Sequence, residues 1–480
     1  MALQNRIPAT AFDGNELSDI WGYVKDGREY AIVGSLGATY IYDVTNCGSP
    51  TLVKEFDDPY TSIWRDYKVY GDYAYGVCDG ANCGLQIMNL NTLTQTTNTT
   101  LQRAHNIYID EVNERMYAVG TSISGTNSRN NILIYDISNP GSPVLVKTFN
   151  PGKYTHDIYV EDNTMYCSHG YSNLGIYTYN SVTHNVSTVG TSSGSSGYNH
   201  SSWKHPYQDV LYLAEEVPIG RPMFIYDISS PAAPTWSMAN SFKDPLLEPT
   251  HTNNRPHNPF VNGDYLYISY YHDGLQVYDV TDPYSPQRIA YFDTYYQNTS
   301  YSSYYGAWGT YPFLPSGCLL VADIDNGFYT LKIDEYKGYS EVGGDLFLKE
   351  SGAGIVFKDN SGNYRKVYLN NGSLTTSSAG APSSSDHMLM ESHMELGEDY
   401  GIIFTDASTG LRKKLFVDNG AISLDPVLLP MGANLEVTQG DFYLSRKNAG
   451  IILSGSADCF KFFTDKNGNH RTPSHPCIPD

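Results

Sequence analysis

The sequence predicts an all-β protein: a seven-bladed β-propeller followed by three short β-repeat units. Two repeats in the chain predict this class. A polar dyad that opens a short strand recurs six times before residue 260, and a different unit, of about 35 residues, recurs three times after residue 343. A period of roughly 40–50 residues with three or four short β segments in each copy is typical of propeller blades.

The first six blades share one order of elements. A dyad opens the first strand, a Tyr-rich second strand follows, and most copies reach a third strand that ends in a turn, as in Ile225-Tyr226-Asp227-Ile228-Ser229. Several copies add a fourth strand after a proline. The dyads are Ser18-Asp19, Arg65-Asp66, His105-Asn106, His156-Asp157, His200-Ser201 and His257-Asn258.

The seventh unit, which begins at Trp308, has no recognisable fourth strand after its third strand at 328–333. The N-terminal residues 5–13 resemble the fourth strands of the other blades. We expect these residues to complete the last blade, because an unpaired strand edge is a template for aggregation.

Several motifs occur in an order that resembles the LVIVD-repeat, choice-of-anchor B family. These motifs are residues 19–34, Trp64-Arg65-Asp66, the His dyads, residues 273–279 and residues 306–317. Copies that read Leu-Val-Ile-Val-Asp in the family read Thr39-Tyr40-Ile41-Tyr42-Asp43 or Leu133-Ile134-Tyr135-Asp136 here. The resemblance covers residues 5–335 and implies a secreted or surface-displayed β-propeller. It implies no chemistry for particular residues.

The C-terminal repeats are too small to bury a core alone, since each is three short strands separated by turn residues. We expect domains at 1–335 (the propeller), 336–382 (the first repeat and a polar linker) and 383–480 (the second and third repeats). The repeats resemble those at the ends of phage-type tail fibres and bacterial surface fibres. That resemblance implies a homo-oligomer, by stacking or intertwining between chains, and a fibre or particle partner. Because the linker is flexible, the alternative is that the repeats are separate units and do not form one block.

The composition excludes some partners. With 51 acidic and 30 basic residues, the formal charge of −21 repels nucleic acid and anionic membranes and attracts divalent cations. No stretch of about 18 apolar residues occurs, so we expect no direct membrane insertion. We expect an extracellular or cell-surface protein. Residues 1–5 show no basic region followed by an apolar one, so either the export signal is not part of this sequence, or the protein leaves the cell by lysis or by a dedicated machine.

Seven cysteines are few for 480 residues. Cys78 and Cys83 flank a short loop that a disulfide can close, and Cys459 with Cys477 can staple the C-terminus. We expect Cys318, inside a strand, to be a core residue. Free buried thiols are the alternative for the remaining positions.

The dyads are the first candidate site, because like positions in successive blades form rings around the propeller channel. One ring holds Ser18, Arg65, His105, His156, His200 and His257, and the next holds Asp19, Asp66, Asn106, Asp157, Ser201 and Asn258. Because successive strand residues point to opposite sides, we expect only one ring to line the channel.

The dyad rings allow three interpretations. The polar groups hydrogen-bond neighbouring blades, as buried polar groups must. Alternatively they bind calcium, zinc or copper, although Arg65 in the same ring argues against a cation. A catalytic histidine is the third interpretation. The candidate metal ligands are His105, His156, His200, His257, Asp19, Asp66 and Asp157.

Two further sets of side chains are candidates. Side chains at the ends of the second strands lie on one rim, where they can bind calcium or a polar ligand; a solvated rim is the alternative. Tyrosine-dense segments offer rigid amphipathic surface for a glycan or protein ligand, unless they pack between blades. The rim set is Asp79, His169, Glu215, Glu216, His272 and Asp323. The ligand-binding set is Tyr270, Tyr271, Tyr295, Tyr296, Tyr304, Tyr305 and Trp308.

These patterns favour an extracellular binding or adhesion protein, with a propeller head that recognises a surface ligand and C-terminal repeats for oligomerisation or attachment. No nucleophile elbow, P-loop, dinucleotide fingerprint or zinc-helix motif occurs, so no catalytic residue is assigned. The competing class is a metal-assisted hydrolase or lyase that uses the histidine ring.

Overall fold

A computed structural model of the chain describes residues 1–333 without 81, 124–127 and 248–251. In the C-terminal region the described residues are 339–342, 346–348, 353–358, 363–371, 373–380, 388–390, 393–396, 402–405, 412–418, 421–426, 435–437, 442–447, 451–454, 459–464 and 469–475. Regular structure in these residues is β-strand apart from two short 3₁₀ helices, Ala9–Ala11 and Asp13–Asn15. None of the described helices has the length and apolarity needed to cross a bilayer.

Seven four-stranded antiparallel sheets occupy the described part of residues 1–333. Blades one to four are Leu17–Lys25, Arg28–Ser35, Ala38–Asp43, Thr51–Asp57; Arg65–Tyr70, Tyr73–Cys78, Leu85–Asn89, Thr94–Asn98; Asn106–Asp110, Arg115–Val119, Ile132–Asp136, Val144–Phe149; and Asp157–Glu161, Thr164–Ser168, Leu174–Tyr179, Val186–Thr191. Blades five to seven are Asn199–Lys204, Val210–Glu215, Met223–Asp227, Thr235–Phe242; Pro259–Asn262, Tyr265–Ser269, Leu275–Asp279, Gln287–Phe292; and Ala307–Tyr311, Leu319–Asp323, Gly327–Lys332, Ala2–Ile7. A small extra sheet pairs Leu101–Arg103 with Ser122–Ile123.

The sheets form a closed ring. The first strands of successive blades contact one another from blade one to blade six, and Tyr265–Ser269 of blade six contacts Ala307–Tyr311 of blade seven. The first strand of blade seven in turn contacts Leu17–Lys25 of blade one. The chain is therefore a β-propeller, with the first strand of each blade next to the central channel.

Tyrosines in the second strands of blades two and five bond to the next blade. Tyr75 and Tyr212 are fully buried, yet the hydroxyl of each reaches a backbone carbonyl of the next blade. Tyr75 donates to the Pro140 carbonyl at 2.8 Å, and Tyr212 donates to the Pro283 carbonyl at 3.1 Å. A buried phenol that finds an acceptor combines apolar packing with a specific bond, so tyrosine suits this position better than phenylalanine.

The ring is closed by the N-terminus and by a disulfide. Ala2–Ile7 pairs antiparallel with Gly327–Lys332, as the outer strand of blade seven. The paired segment is earlier than the expected 5–13, because Pro8 has no N–H to continue the ladder and the chain turns after it. Cys47 of blade one is bonded to Cys318 of blade seven, with their Cα atoms 5.8 Å apart.

The disulfides differ in part from the expectation. The Cys78–Cys83 bridge is confirmed. The interpretation of Cys318 as a plain core residue is wrong, because the ring brings it beside a cysteine 271 positions away in the sequence. Cys167 is free and buried. Cys477 lies outside the described residues, so its expected pairing with Cys459 stays a prediction.

The described strands beyond residue 338, here called the C-terminal body, fall into three repeats of related order. The first comprises Tyr339–Val342, Leu346–Leu348, Gly354–Lys358, Tyr364–Asn370 and Ser373–Ala379. The second comprises Met388–Met390, His393–Leu396, Ile402–Thr405, Arg412–Asp418 and Ala421–Pro426. The third comprises Leu435–Val437, Phe442–Lys447, Ile451–Ser454, Cys459–Thr464, His470–Arg471 and Ser474–His475.

The three repeats share their sheets. Each of the three sheets joins later strands of one repeat to the second strand of another and the first strand of the remaining one. The joints between repeats are parallel, as between Gly354–Lys358 and Phe442–Lys447. One buried cluster takes Phe357, Phe404 and Phe462 from the three repeats. The described strands of the three repeats thus intertwine within one chain, and strands pair across the expected boundary at 382–383. The expected association between chains stays a prediction.

The C-terminal body contacts the propeller at two turns. The Lys461 ammonium donates to the Asp264 carboxylate, and both side chains are 1 % exposed. The Tyr207 and Phe463 rings lie 5.2 Å apart, and the Lys461 ammonium lies 5.6 Å and 5.1 Å from their centroids. Tyr207 and Asp264 lie between the first and second strands of blades five and six. The body therefore packs on the propeller face where the first strands end.

Candidate functional site

The propeller channel has three layers, set by positions one, two and four of the repeated first-strand motif. Neighbouring stretches of the channel share lining residues. The histidine layer and the carboxylate layer share Asp19, Asp66 and Asp157, and the carboxylate layer and a wider aromatic mouth share Lys68 and Trp203. The three layers therefore line one continuous passage.

Both dyad rings line the channel, so the expectation that only one does is wrong. The cause is local backbone geometry. Irregular register interrupts the first strands at the dyads of blades one and five, and at Trp308 of blade seven. A β-bulge lets successive side chains emerge on the same side. In blades three, four and six the histidine precedes the regular strand, so strict alternation does not apply to it.

Four imidazoles lie next to one another in a row around the histidine layer, with neighbouring ring planes tilted by 46–50°, and the row ends against Trp308. The ring centroids are 3.9 Å apart between His105 and His156, 4.2 Å between His156 and His200, and 4.4 Å between His200 and His257. Trp308 lies 4.6 Å beyond His257. The repeat thus converts four positions distant in sequence into one contiguous aromatic wall.

Backbone carbonyls orient three of these imidazoles. Nδ1 of His156 bonds to the carbonyl of His200 at 3.0 Å, and Nδ1 of His200 bonds to the carbonyl of His257 at 3.2 Å. His257 repeats the pattern with the carbonyl of Trp308. A carbonyl only accepts, so Nδ1 carries the proton and Nε2 keeps its lone pair. Each histidine therefore links its blade to the next.

Burial keeps these histidines neutral. It lowers the pKa of His200 to about 3, and the neighbouring His105 adds to the effect. Burial, followed by neighbouring imidazoles, also lowers the pKa of His156 and His257 well below the usual value. His156, His200 and His257 consequently present uncharged imidazoles near neutral pH.

Asp79 and Arg65, which lie next to the imidazole row, are each paired with a group of opposite charge. His105 Nδ1 lies 2.9 Å from Asp79 Oδ2, and Arg129 bonds to the other oxygen of Asp79. Arg65 turns its guanidinium to Asp58, at 2.7 Å, and to four backbone carbonyls. The argument that Arg65 opposes a cation in this ring is therefore weakened, since its charge is neutralised by Asp58.

The carboxylate layer also joins blades. Asp19 accepts from the Tyr67 backbone N–H at 3.2 Å, and Asp66 accepts from the Ile107 backbone N–H at 2.7 Å. Lys68 bonds to Asp66 at 2.7 Å. Burial, followed by Asp66, raises the pKa of Asp157 to about 8, and the same causes raise the pKa of Asp19 well above its usual value. These contacts support the hydrogen-bonding interpretation for this layer.

The aromatic mouth is the functional feature that the sequence analysis missed. It has a volume of about 260 Å³ and is lined by Trp21, Lys68, Val69, Tyr108, Ile109, Glu111, Trp203, Tyr311 and Phe313. The signal was present, because the residue two positions after each dyad is aromatic in five of the six copies. These residues are Trp21, Tyr108, Tyr159, Trp203 and Phe260, with Lys68 in the remaining copy. Lys68 lies 4.2 Å from the Trp21 ring centroid.

The predicted rim set does not form one cluster. His169 bonds to Tyr177 at 3.0 Å, Glu215 pairs with Arg221, and Asp323 accepts from the backbone of its own turn. Two members instead turn towards the histidine layer. Asp79 bonds to His105, as above, and Glu216 lies 3.8 Å from His200 Nε2. The remaining members do not converge, because each bonds to a partner in its own blade or in a neighbouring loop.

The tyrosine-dense set divides. Tyr270 and Tyr271 are 0 % and 1 % exposed, so their role is packing, and Trp308 is buried in the channel. The exposed members are Tyr296, Tyr304 and Tyr305, on the face opposite the aromatic mouth. Tyr295 stacks on Tyr305 with 5.7 Å between the centroids. Tyr270 packs in the cluster between blades five and six, whereas Tyr271 packs against Trp308 and Ile324 of blade seven.

The predicted metal ligands also divide. His200 and His257 offer ligand atoms that lie, with one from Glu216, within 4.8 Å of one another. Asp19, Asp66 and Asp157 belong to the next layer, where Asp19 and Asp66 accept from the backbone of neighbouring blades. Any metal site on the described residues thus combines part of the dyad ring with part of the rim set.

Comparison with known proteins agrees with the repeat. A family model of the LVIVD repeat matches residues 127–151 and 260–294. These two segments of the β-propeller therefore carry the LVIVD repeat that the motifs predicted. No curated protein sequence matches it.

Many solved structures are similar to the chain in fold. One is the β-propeller domain of Cps50 (Swd1) from Myceliophteria thermophila, which is 11% identical with a TM-score of 0.46. That match covers 63% of this chain and 93% of the other. The strand order and ring contacts described above, and not this likeness, establish the propeller.

Proposed function

We propose that the protein is an extracellular binding protein whose propeller recognises a neutral saccharide of a surface glycan at the aromatic mouth. The observation that carries this proposal is the mouth itself, a cavity of about 260 Å³ walled by Trp21, Tyr108, Trp203, Tyr311 and Phe313. Aromatic walls with a few convergent polar groups are typical of small-ligand sites.

The chemistry of the mouth suits a sugar. Flat aromatic faces cover the apolar C–H faces of a pyranose, and rigid rings do so at low entropy cost. Lys68 and Glu111 lie on the same wall and offer hydrogen bonds to hydroxyls. The volume is slightly below the roughly 300–1,000 Å³ of drug-sized pockets, which favours a single sugar ring over a folded peptide.

The charge of the chain narrows the ligand class. The formal charge of −21 repels anionic ligands and weakens their binding, so sulfated or phosphorylated glycans are disfavoured. A neutral oligosaccharide is not subject to this repulsion.

The C-terminal body is proposed as the attachment module, to a fibre, a particle or the cell surface. Its sheets are completed by three repeats of one chain, so a homo-oligomer would form through contacts between bodies and not through exchanged strands. The body also packs on the propeller face that bears the mouth, beside blades five and six. A long glycan chain in the mouth would therefore meet the body as well.

The test uses an array of neutral oligosaccharides and the full chain. Trp21→Leu and Trp203→Leu keep apolar bulk but remove the flat face, and we expect at least tenfold weaker binding of the best ligand. Trp236→Leu is the matched control, because Trp236 lies in the outer strand of the same blade as Trp203. Equal binding by all three variants, or no neutral glycan bound by the wild type, would overturn the proposal.

A metal-assisted hydrolase or lyase is the second candidate function. The observation that favours it is the group of neutral imidazoles of His156, His200 and His257, with Nε2 lone pairs in the channel. The check is turnover of chromogenic ester and glycoside substrates by zinc-loaded and chelator-treated protein. Activity that depends on the metal and is lost in a channel-histidine variant would favour the enzyme.

A further inference from the structure

Two histidines and one glutamate converge in the channel wall of blades five and six. His200, His257 and Glu216 are all buried, and one ligand atom from each lies within 4.8 Å of the others. We propose that these three residues bind one divalent transition-metal ion, Zn²⁺ in the first instance. This inference does not depend on what binds at the aromatic mouth.

The fold explains why a residue remote from the dyads joins them. His200 opens the first strand of blade five, and Glu216 directly follows the second strand, Val210–Glu215. The two strands are antiparallel, so the end of the second returns to the start of the first. His257 takes the place of His200 in the next blade. The ring spacing of neighbouring blades then brings the two imidazoles to 4.4 Å.

Each proposed ligand is already oriented by a partner. The Nδ1 bonds of His200 and His257 to backbone carbonyls leave Nε2 as the free donor atom. Glu216 accepts from the Tyr271 hydroxyl at 2.6 Å. Metal-ligating histidines usually donate their other ring N–H to a carbonyl or carboxylate, and ligating carboxylates are hydrogen-bonded in turn. The arrangement has the supporting contacts of a metal site.

The three ligand atoms lie within 4.8 Å of one another, and one of their spacings is close to that around a tetrahedral ion. Ligand atoms that each lie about 2.0–2.2 Å from zinc at tetrahedral angles are about 3.3–3.6 Å apart. His200 Nε2 and Glu216 Oε1 are 3.8 Å apart. Two imidazoles and one carboxylate leave a fourth position. The histidine layer has about 20 Å³ of free space, which is room for one water-sized ligand.

The donor set selects the class of ion. Neutral imidazole suits zinc, copper and nickel, whereas calcium takes six or more oxygen ligands. Arg255 contributes a positive charge near Tyr271 and stacks on Tyr304 at 3.7 Å. It reduces the attraction for a cation, so Arg255→Gln should bind zinc more tightly than the wild type.

The experiment is titration of chelator-stripped full chain with Zn²⁺ in a calorimeter, with metal content measured after dialysis. His257→Asn removes Nε2 but keeps a donor at the place of Nδ1, and Glu216→Gln keeps an acceptor for Tyr271. His184→Asn is the control, because His184 lies outside the channel and uses Nδ1 to contact Tyr179. We expect one Zn²⁺ per wild-type chain and at least tenfold weaker binding in the two site variants.

Co²⁺ provides a second measurement. A three-ligand tetrahedral site gives the intense visible absorption of four-coordinate Co²⁺, and both site variants should lose it. Folding of each variant is checked by its far-ultraviolet circular dichroism. Absence of stoichiometric Zn²⁺ uptake by the wild type, or equal uptake by folded wild type and both variants, would overturn the assignment. Loss in His156→Asn but not in His257→Asn would also overturn it. Trp203→Leu should bind Zn²⁺ normally, which separates this inference from the glycan proposal.

Discussion

Replacement of His156 by alanine or asparagine tests whether the histidine layer holds the blades together. His156 packs between the rings of His105 and His200 and bonds through Nδ1 to the His200 carbonyl at 3.0 Å. Alanine removes both the ring and the bond. Asparagine removes most of the ring but places an amide N–H where Nδ1 was.

The expected magnitudes follow from these contacts. A buried carbonyl left without its donor costs about 1–3 kcal/mol. Truncation of a buried aromatic ring to alanine costs about 3–5 kcal/mol in a closed core, and less where water can enter from a channel. We expect His156→Ala to lower the free energy of unfolding by about 2–5 kcal/mol. His156→Asn should lower it by about 1–3 kcal/mol less.

The assay is urea unfolding at pH 8, followed by tryptophan fluorescence. At this pH the imidazole is neutral in the folded and the unfolded chain, because the folded pKa of His156 is lowered below the usual value of 6.5. Proton uptake therefore does not contribute to the difference. Equal destabilisation by alanine and asparagine would refute the role assigned to the Nδ1 bond. Unchanged stability in both would refute the structural interpretation of the whole layer.

Four further predictions concern closure, charge and docking. Deletion of residues 2–7 exposes the edge of blade seven, so we expect a lower melting temperature and aggregation in light scattering; an unchanged melt contradicts closure by this strand. The double variant Cys47→Ser, Cys318→Ser removes a disulfide between positions 271 residues apart. Its free energy of unfolding in urea should be lower by about 2–4 kcal/mol; equal midpoints would contradict this. Burial raises the folded pKa of Asp157 to about 8, so its stabilisation is complete below the unfolded value near 4 and is lost as pH rises towards 8. The free energy of unfolding of Asp157→Asn, relative to that of the wild type, should therefore rise with pH by at most about 1.4 kcal/mol per pH unit between pH 5 and 8. A difference in stability that does not change with pH would argue against a protonated carboxyl. Lys461→Met removes the buried ammonium that pairs with the Asp264 carboxylate, and loss of one member of a buried ion pair costs about 3–5 kcal/mol. Limited proteolysis should then separate the C-terminal body from the propeller; unaltered resistance contradicts the docking.

The sequence by itself determined the architecture of the propeller. The dyads recur at regular spacing, and the strands between them are recognisable from local patterns. Such patterns depend on residues near one another in the chain, so blade order and the N-terminal clasp could be predicted. The row of four histidines was predictable for the same reason, since equivalent positions of a repeat form a ring.

Tertiary structure alone decided the details of the channel and its site. Bulges at the dyads place both rings in the channel, and a shift of one residue in register carries no clear signal in sequence. Glu216 joins His200 only because antiparallel strands bring their ends together. Cys47 meets Cys318, and Lys461 meets Asp264, across separations of 271 and 197 residues. Contacts at such separations depend on how whole blades and repeats pack, which a local sequence pattern does not encode.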